Sequence, residues 1–398
     1  MTADLSARYV RWIWCRAVLH RGWWLVTSVY LVVDAHLTAS QLVLIGVAQA
    51  LVGLVLEIPA GVLADTVSRK WSLVVSHLLM GAAMLATGMV GDFPALVATQ
   101  MLWGLSWAVA SGADVAWISD ELGDPARIPV VLLRAERAQL TGTVAGLAAL
   151  GGLAWIIGRS PAMVLAGVAM LVLGVAVAAG FPERQFVAVP VRRWRAAWSI
   201  LGGGVRLVLG SRVLVAVFAA TLLVNGVAGA FGRIYPLRLA ELAPGLDPVL
   251  WFTGLGVVTC LAGSEALRRV GDLSTIGRQY VAACAVATVG VVGLAFAPDA
   301  VTGSLAVLIA AGALPLARSF GTIWVNGRAT AAVRTTVHSL LAQVDYVGTI
   351  GCGLAVAVVA DRAGFRAALT VCAALPVVAV VLVRRSASAR QGNGKRRR

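Results

Sequence analysis

The sequence predicts an all-α integral membrane protein of twelve transmembrane helices, arranged as two pseudo-symmetric six-helix bundles. Three observations carry that prediction. Of 398 residues, 60% are hydrophobic and only 13% are charged, against roughly 25% charged in soluble domains. The apolar residues gather into runs of membrane-spanning length; a dozen spans of about 21 residues would occupy about 252 positions. The basic residues fall into alternate gaps between the runs, as a chain threaded back and forth across a bilayer requires. Mean hydropathy of +0.88 agrees. This balance excludes a soluble enzyme and a disordered scaffold. The net charge of +15 does not point to nucleic acid, because the charge lies in loops.

The runs are 11–33, 40–64, 71–91, 94–118, 137–157, 162–181, 212–233, 248–268, 278–297, 301–324, 337–360 and 364–383. The first is interrupted by Arg16, His20 and Arg21 and lacks a small-residue cleavage site, so it reads as a retained helix rather than a signal peptide. Glycine and proline recur inside the runs, which lipid-embedded helices tolerate when neighbours repair the backbone bonds. With the N-terminus inside, the inner gaps hold Arg69 and Lys70, Arg127 to Arg137, Arg184 to Arg212, Arg268 to Arg278, and Arg328 and Arg334. The outer gaps hold Arg159, Arg238, Arg362 and Arg366. Both termini are therefore expected to be cytoplasmic, in a multi-pass protein of the cell membrane.

The expected organisation is a bundle over 1–181, a cytoplasmic linker over 182–211, a second bundle over 212–384 and a basic tail over 385–398. The linker can form an amphipathic helix on the inner surface or remain plain connection. The tail reads as irregular and suited to anionic lipid. The halves echo one another. Ala116-Trp117-Ile118-Ser119 ends run four as Ile323-Trp324-Val325-Asn326 ends run ten; Gln139 opens run five and Gln343 lies early in run eleven. A duplicated six-helix unit with a site between its copies is a transporter architecture.

Between runs two and three the chain reads Gly61-Val-Leu-Ala-Asp65-Thr-Val-Ser-Arg69-Lys70. Gly61 permits close helix approach or a turn. Asp65 can face a helix N-terminus or an arginine, and Arg69 and Lys70 hold the loop at the inner surface. The segment resembles the loop signature of the major facilitator superfamily, although Thr66 and Ser68 replace an arginine and a glycine of that pattern. Ser111 to Glu121, and Trp324 through Ser339, resemble the end of helix four and the helix ten–eleven junction of the same superfamily. The resemblance implies a cytoplasmic gate. In it, Asp65 meets the start of helix eleven, and Arg69 pairs with Asp120, with Glu121 as the spare. Run four lacks the arginine of many proton-driven members, and the helix-five antiporter signature is only echoed by Gly142, Gly146, Gly151 and Gly152.

Ionisable groups inside spans cost roughly 2.5–3.5 kcal/mol on insertion scales and so face a cavity or a partner. Arg16 and His20 share a helix face, with Trp24 a turn further; His20 and Arg21 read as functional groups, as structural hydrogen-bonders, or as snorkelling toward the surface. Trp103, Trp107, Ser111, Asp114 and Trp117 recur at helical spacing. That stripe either lines a cavity for an apolar or cationic ligand or packs, with Asp114 paired to Arg137 or Arg318. The resemblance further implies that Asn225, Phe320 and Trp324 line a central cavity. Asp345 is a coupling acid or the partner of Arg334, and Glu57, before Pro59, reads as structural.

No HExxH, GxSxG or P-loop pattern occurs, and the five cysteines are scattered singly. No catalytic residue, metal or cofactor is therefore expected. The expected protein is a monomeric secondary transporter of a small organic solute, working by alternating access, in the efflux direction and with possible use of protons. Nutrient uptake and a non-transporting sensor are the alternatives.

Overall fold

The computed structural model describes residues 2–188, 202, 205, 206, 208–210, 212–268, 275–326 and 334–395. Its elements are α1 (Thr2–Val33), α2 (Ala39–Thr66), α3 (Arg69–Thr87), α4 (Phe93–Ala110), α5 (Ala113–Leu122), α6 (Ile128–Ile157) and α7 (Arg159–Gly180), then α8 (Arg212–Leu242), α9 (Pro248–Arg268), α10 (Ile276–Ala295), α11 (Ala300–Asn326) and α12 (Arg334–Lys395). Among the described residues there is no strand.

Among the described residues, ten helical stretches are long and apolar enough to cross a membrane. They correspond to the predicted runs with two adjustments. α1 is not among the ten, because Arg16, His20, Arg21 and its tryptophans lower its hydropathy. The last of the ten, Leu340–Arg385, has the length of two spans and is broken at Gly364, whose φ of 80° is open to glycine alone at little cost. That break falls beside the predicted gap at 361–363.

Three local departures from the sequence reading stand out. α1 begins at Thr2, two turns before the apolar run, and Arg8 near its start donates to the carbonyl of Gly180 at the end of α7, a cation placed at a helix C-terminus. Run four is broken into α4 and α5 at Ser111–Gly112, where Gly112 has φ of 71°. The helical backbone of α12 continues to Lys395 where an irregular tail was expected; extending an existing helix costs far less than nucleating one. The predicted surface helix over the linker lies largely outside the described residues.

Side-chain oxygens end several loops in the expected way. Ser68 accepts from the Trp71 N–H at 2.9 Å, and Asp92 from Ala95 N–H at 3.0 Å. Asp299 accepts from Val301 and Thr302 N–H, both at 2.9 Å, and the bond from Thr302 holds its carboxyl below the ordinary range.

The chain sorts into two compact units, one of Met1–Leu37, Leu51–Trp194 and Leu246–Cys260, the other of Thr38–Ala50, Arg195–Gly245 and Leu261–Arg398. Within the first, Tyr9, Trp12, Leu73, Trp117, Ile118 and Phe181 form a buried cluster. α1 lies against α6 through glycines: a Cβ on Gly22 would fall 2.7 Å from Leu150 Cβ, and one on Gly142 2.7 Å from the Trp14 carbonyl. Within the second unit α8 lies against α12 in the same manner, a Cβ on Gly226 meeting Cys352 Cβ at 2.7 Å and one on Gly348 the Leu222 backbone. Small residues let helices approach where lipid supplies no hydrophobic drive.

Gly146→Leu and Gly348→Leu are expected to lower the unfolding free energy of the purified protein by about 1–3 kcal/mol through overpacking. Gly61→Ala is expected to leave it unchanged or slightly higher, since an added Cβ there meets nothing within 4 Å. Thermal unfolding in detergent checks all three.

Candidate functional site

The loop between α2 and α3 is held by charges. Arg69 opens α3 and its guanidinium bonds Asp120 near the end of α5, Asp65 at 3.2 Å and the Ala116 carbonyl at 3.2 Å. A cation is thereby placed at the C-terminal end of α5, where the helix dipole favours it. Of the two acids considered for this pairing, Asp120 takes it. Glu121 instead accepts the backbone N–H groups of Arg184 and Gln185 at 2.6 and 2.9 Å. Lys70 points its ammonium over Trp71, 6.0 Å from the ring centre. Gly61 lies inside α2 in open space, so it makes neither the turn nor the close approach expected of it.

A strap follows α7 and closes on this loop. Glu183 accepts from the Ser68 hydroxyl at 2.5 Å and from the Lys70 N–H at 2.9 Å, capping the first turn of α3 from a distant part of the chain. Trp117 donates its indole N–H to the Pro182 carbonyl at 2.8 Å and stacks on Phe181 at 4.2 Å. Phe186 lies 5.9 Å from the Arg69 guanidinium. The sequence reading left Glu183 in a linker. The available signal was its sign, for it is the one acid in 182–211.

Deeper in the first unit, the break of helix four organises a second set of groups. Asp114 sits in the first turn of α5, 3.5 Å from Arg16. Its partner is thus an arginine of α1, not Arg137 or Arg318. The Arg16 guanidinium also lies over Trp12 and Trp107, at 4.9 and 5.6 Å, so three groups share its charge. One turn along α1, His20 stacks on Trp103 at 5.4 Å and meets Trp107 edge-on at 5.1 Å. Trp24 lies 5.1 Å from Trp103. His20 Nε2 and the indole nitrogens of Trp103 and Trp107 are shielded and have no hydrogen-bond partner among the described residues. Arg21, the next residue along α1, is exposed. His77, by contrast, is fully satisfied: Trp12 donates to its Nε2 at 3.1 Å, and its Nδ1 lies 2.7 Å from the Leu73 carbonyl.

Beside the break, Ser111 donates to Glu57 of α2 at 3.2 Å. α2 and α4 leave an apolar cleft of about 370 Å³ between them, walled by Leu56, Pro59, Ala60, Leu63, Leu105 and Val109 among others.

In the second unit Asp345 pairs with Arg318 of α11 at 3.0 Å; the side chain of Arg334 lies outside the described residues. Asn225 is buried, with its carbonyl oxygen unpartnered among the described residues. Phe320 is 6% exposed and packs in a core with Tyr280, Ala317 and Val224, because the i, i+3 spacing of Ala317 and Phe320 turns both toward α10 and α8. Trp324 leans on the same core, 5.8 Å from Tyr280. Arg233 of α8 donates to Gln49 of α2, a pairing not anticipated from sequence.

No family model matches the sequence, and no curated protein matches it. Solved structures do. The nucleoside transporter NupG superposes with a TM-score of 0.73 at 13% identity, over 97% of this chain and 98% of that one. A bacterial homologue of the human lysosomal transporter Spinster, inward-facing and occupied, gives 0.71 at 13% identity, over 96% of each chain. The POT family transporter PepTSo gives 0.73 at 13% identity, over 96% of this chain and 98% of that one. The chain has the fold of the major facilitator superfamily. At such identity the likeness fixes architecture and leaves chemistry to the residues.

Within this major facilitator fold, the loop signature and the helix-four break lie in one unit, joined by α5, which carries Asp114 at its start and Asp120 near its end. A movement of α5 is therefore felt by both.

Arg69→Gln and Asp120→Asn are expected to show a coupling of roughly 1 kcal/mol in a double-mutant cycle on thermal unfolding, the size for a partly exposed hydrogen-bonded pair. Glu183→Gln is expected to destabilise by a similar amount, whereas Glu183→Gln added to Ser68→Ala costs little more than either change alone.

Proposed function

We propose that the protein is a secondary transporter that moves a small organic solute across the cell membrane by alternating access, exporting it in exchange for protons. The observation that carries this reading is the group around helix four: a paired arginine and aspartate, a buried histidine and a tryptophan cluster, all on spans that lipid would otherwise keep free of charge. Aromatic faces with unmet indole donors suit a solute that combines a planar or apolar body with hydrogen-bond acceptors. The apolar cleft between α2 and α4 suits its non-polar part. The fold supports the reading too, since the similar solved proteins are named as nucleoside, Spinster-type and POT family transporters.

Arg16, His20, Trp24, Trp107 and Asp114 are proposed to contact or orient the solute. Asn225, Trp324 and Asp345 are proposed as further solute-contacting or coupling residues, and Asp65, Arg69, Lys70 and Asp120 as the cytoplasmic gate. Arg21 has the weakest claim, being exposed. The protein is proposed to work as a monomer with both termini in the cytoplasm and the basic tail against anionic lipid. Uptake of a small nutrient by the same fold is the second reading.

Expression in a host stripped of its own pumps is expected to raise the growth-inhibiting concentration of planar aromatic or amphipathic toxicants in a panel, and energised inverted vesicles are expected to accumulate the same compounds. Asp114→Asn is expected to reduce that accumulation about tenfold, equivalent to roughly 1.4 kcal/mol on the limiting step. Accumulation only in right-side-out vesicles contradicts export, and an unchanged phenotype in both Asp65→Asn and Asp114→Asn contradicts the residue roles.

A further inference from the structure

The geometry points to Glu57 as the proton-binding site of this carrier, an assignment that deepens the transport reading and rests on it for its role in coupling. Glu57 lies in the interior of α2, away from the loop signature; Asp65 is eight residues further, about 12 Å along the helix. Its Oε1 accepts from the Ser111 hydroxyl at 3.2 Å. Its Oε2 is shielded from solvent and has no hydrogen-bond partner among the described residues. A carboxylate has two oxygens to satisfy, and a shielded bare one is among the costliest arrangements a membrane span can hold. The simplest group that completes Oε2 is a proton.

Two irregularities meet at this contact. Pro59 stands two residues beyond Glu57 inside α2; it gives no N–H to the Val55 carbonyl and weakens the helix around Glu57. Across from it, helix four is interrupted at Ser111–Gly112, and both residues of the break are exposed. Broken helices that line accessible space are where transporters place coupling ions.

Both protonation states have a place here. With the proton on Oε2 the side chain is neutral, and the Ser111 bond to Oε1 is undisturbed. When the proton leaves to water at the break, the anion remains beside the N-terminus of α5, whose dipole favours negative charge. Of the acids on α5, Asp114 is paired with Arg16 of α1, Asp120 with Arg69, and Glu121 accepts the Arg184 and Gln185 N–H groups; α4 carries no charged group. Glu57 reaches the Arg16–Asp114 pair only through Ser111 and the first turn of α5, and this is the route the assignment gives to coupling.

The test reads the proton directly. Infrared difference spectra of the full chain in liposomes, titrated from acid to alkaline pH, are expected to show the carbonyl band of a protonated carboxyl that disappears on titration, is lost in Glu57→Gln and persists in Asp65→Asn. Ser111→Ala is expected to move this band to higher frequency, since the carbonyl loses its donor; this variant keeps the test valid should Glu57→Gln fold poorly. A band unchanged in both variants overturns the assignment. In vesicles with ethidium as probe, a pH gradient is expected to drive accumulation in the wild type and at least tenfold less in Glu57→Gln, while ethidium still equilibrates down its own gradient. Gradient-driven accumulation that survives in Glu57→Gln overturns the coupling role. If the wild type does not move ethidium at all, the export reading fails for planar cations, and the infrared band still decides whether Glu57 binds a proton.

Discussion

Hydrocarbon offers no hydrogen bonds, and that constraint organises the molecule. Every backbone group in a span must be satisfied by the span itself or by a neighbour, so the described spans are helical. Every charge within it must find a partner at close range. Arg16 meets Asp114 and two tryptophan faces; Arg318 meets Asp345; Arg233 meets Gln49. Packing follows the same constraint. Lipid gives helices no reason to associate by apolar burial alone, and the close seams are made where glycine removes the side chain, at Gly22 and Gly146 in one unit and at Gly226 and Gly348 in the other.

Helix four is where these demands converge. An unbroken helix would leave no backbone groups to satisfy at Ser111 and Gly112. The break exposes them and begins a new helix whose first turn carries Asp114. The same short helix ends near Asp120, held by Arg69. The charge paired with Arg16 and the charge at the α2–α3 loop therefore sit on one ten-residue element, and the strap from Phe181 to Phe186 braces it through Trp117 and Glu121. A unit built in this way transmits a local change along α5, where a uniformly packed helix would absorb it.

Much of this was legible in the residues. Apolar runs and the placement of arginines are coarse signals set by bilayer thickness, and they predict the membrane-embedded all-α fold. The pairing of Arg69 with Asp120 was legible because the loop pattern constrains both ends. The partner of Asp114 was not, because Arg16 is nearly a hundred residues away and helical spacing says nothing about which helices adjoin. The break at Gly112 was hidden because glycine is common within membrane helices and does not punctuate them as it does in water. The packing of Phe320 against Tyr280 was not legible, because an aromatic residue in a span serves a core as readily as a cavity. Glu183 was missed because a loop of basic residues invites reading as a whole, and its single acid was passed over.

The central claim is that an intramembrane charge persists only with a partner at close range, and that Arg16 and Asp114 are the pair on which the helix-four region rests. Their double-mutant cycle tests it most directly, by unfolding free energy in a lipid-like detergent. Arg16→Gln or Asp114→Asn alone leaves the other charge stranded, and each is predicted to cost about 3–5 kcal/mol, whereas the two together are predicted to restore most of that loss. Losses that simply add would mean that the two charges are held independently, and would contradict the account.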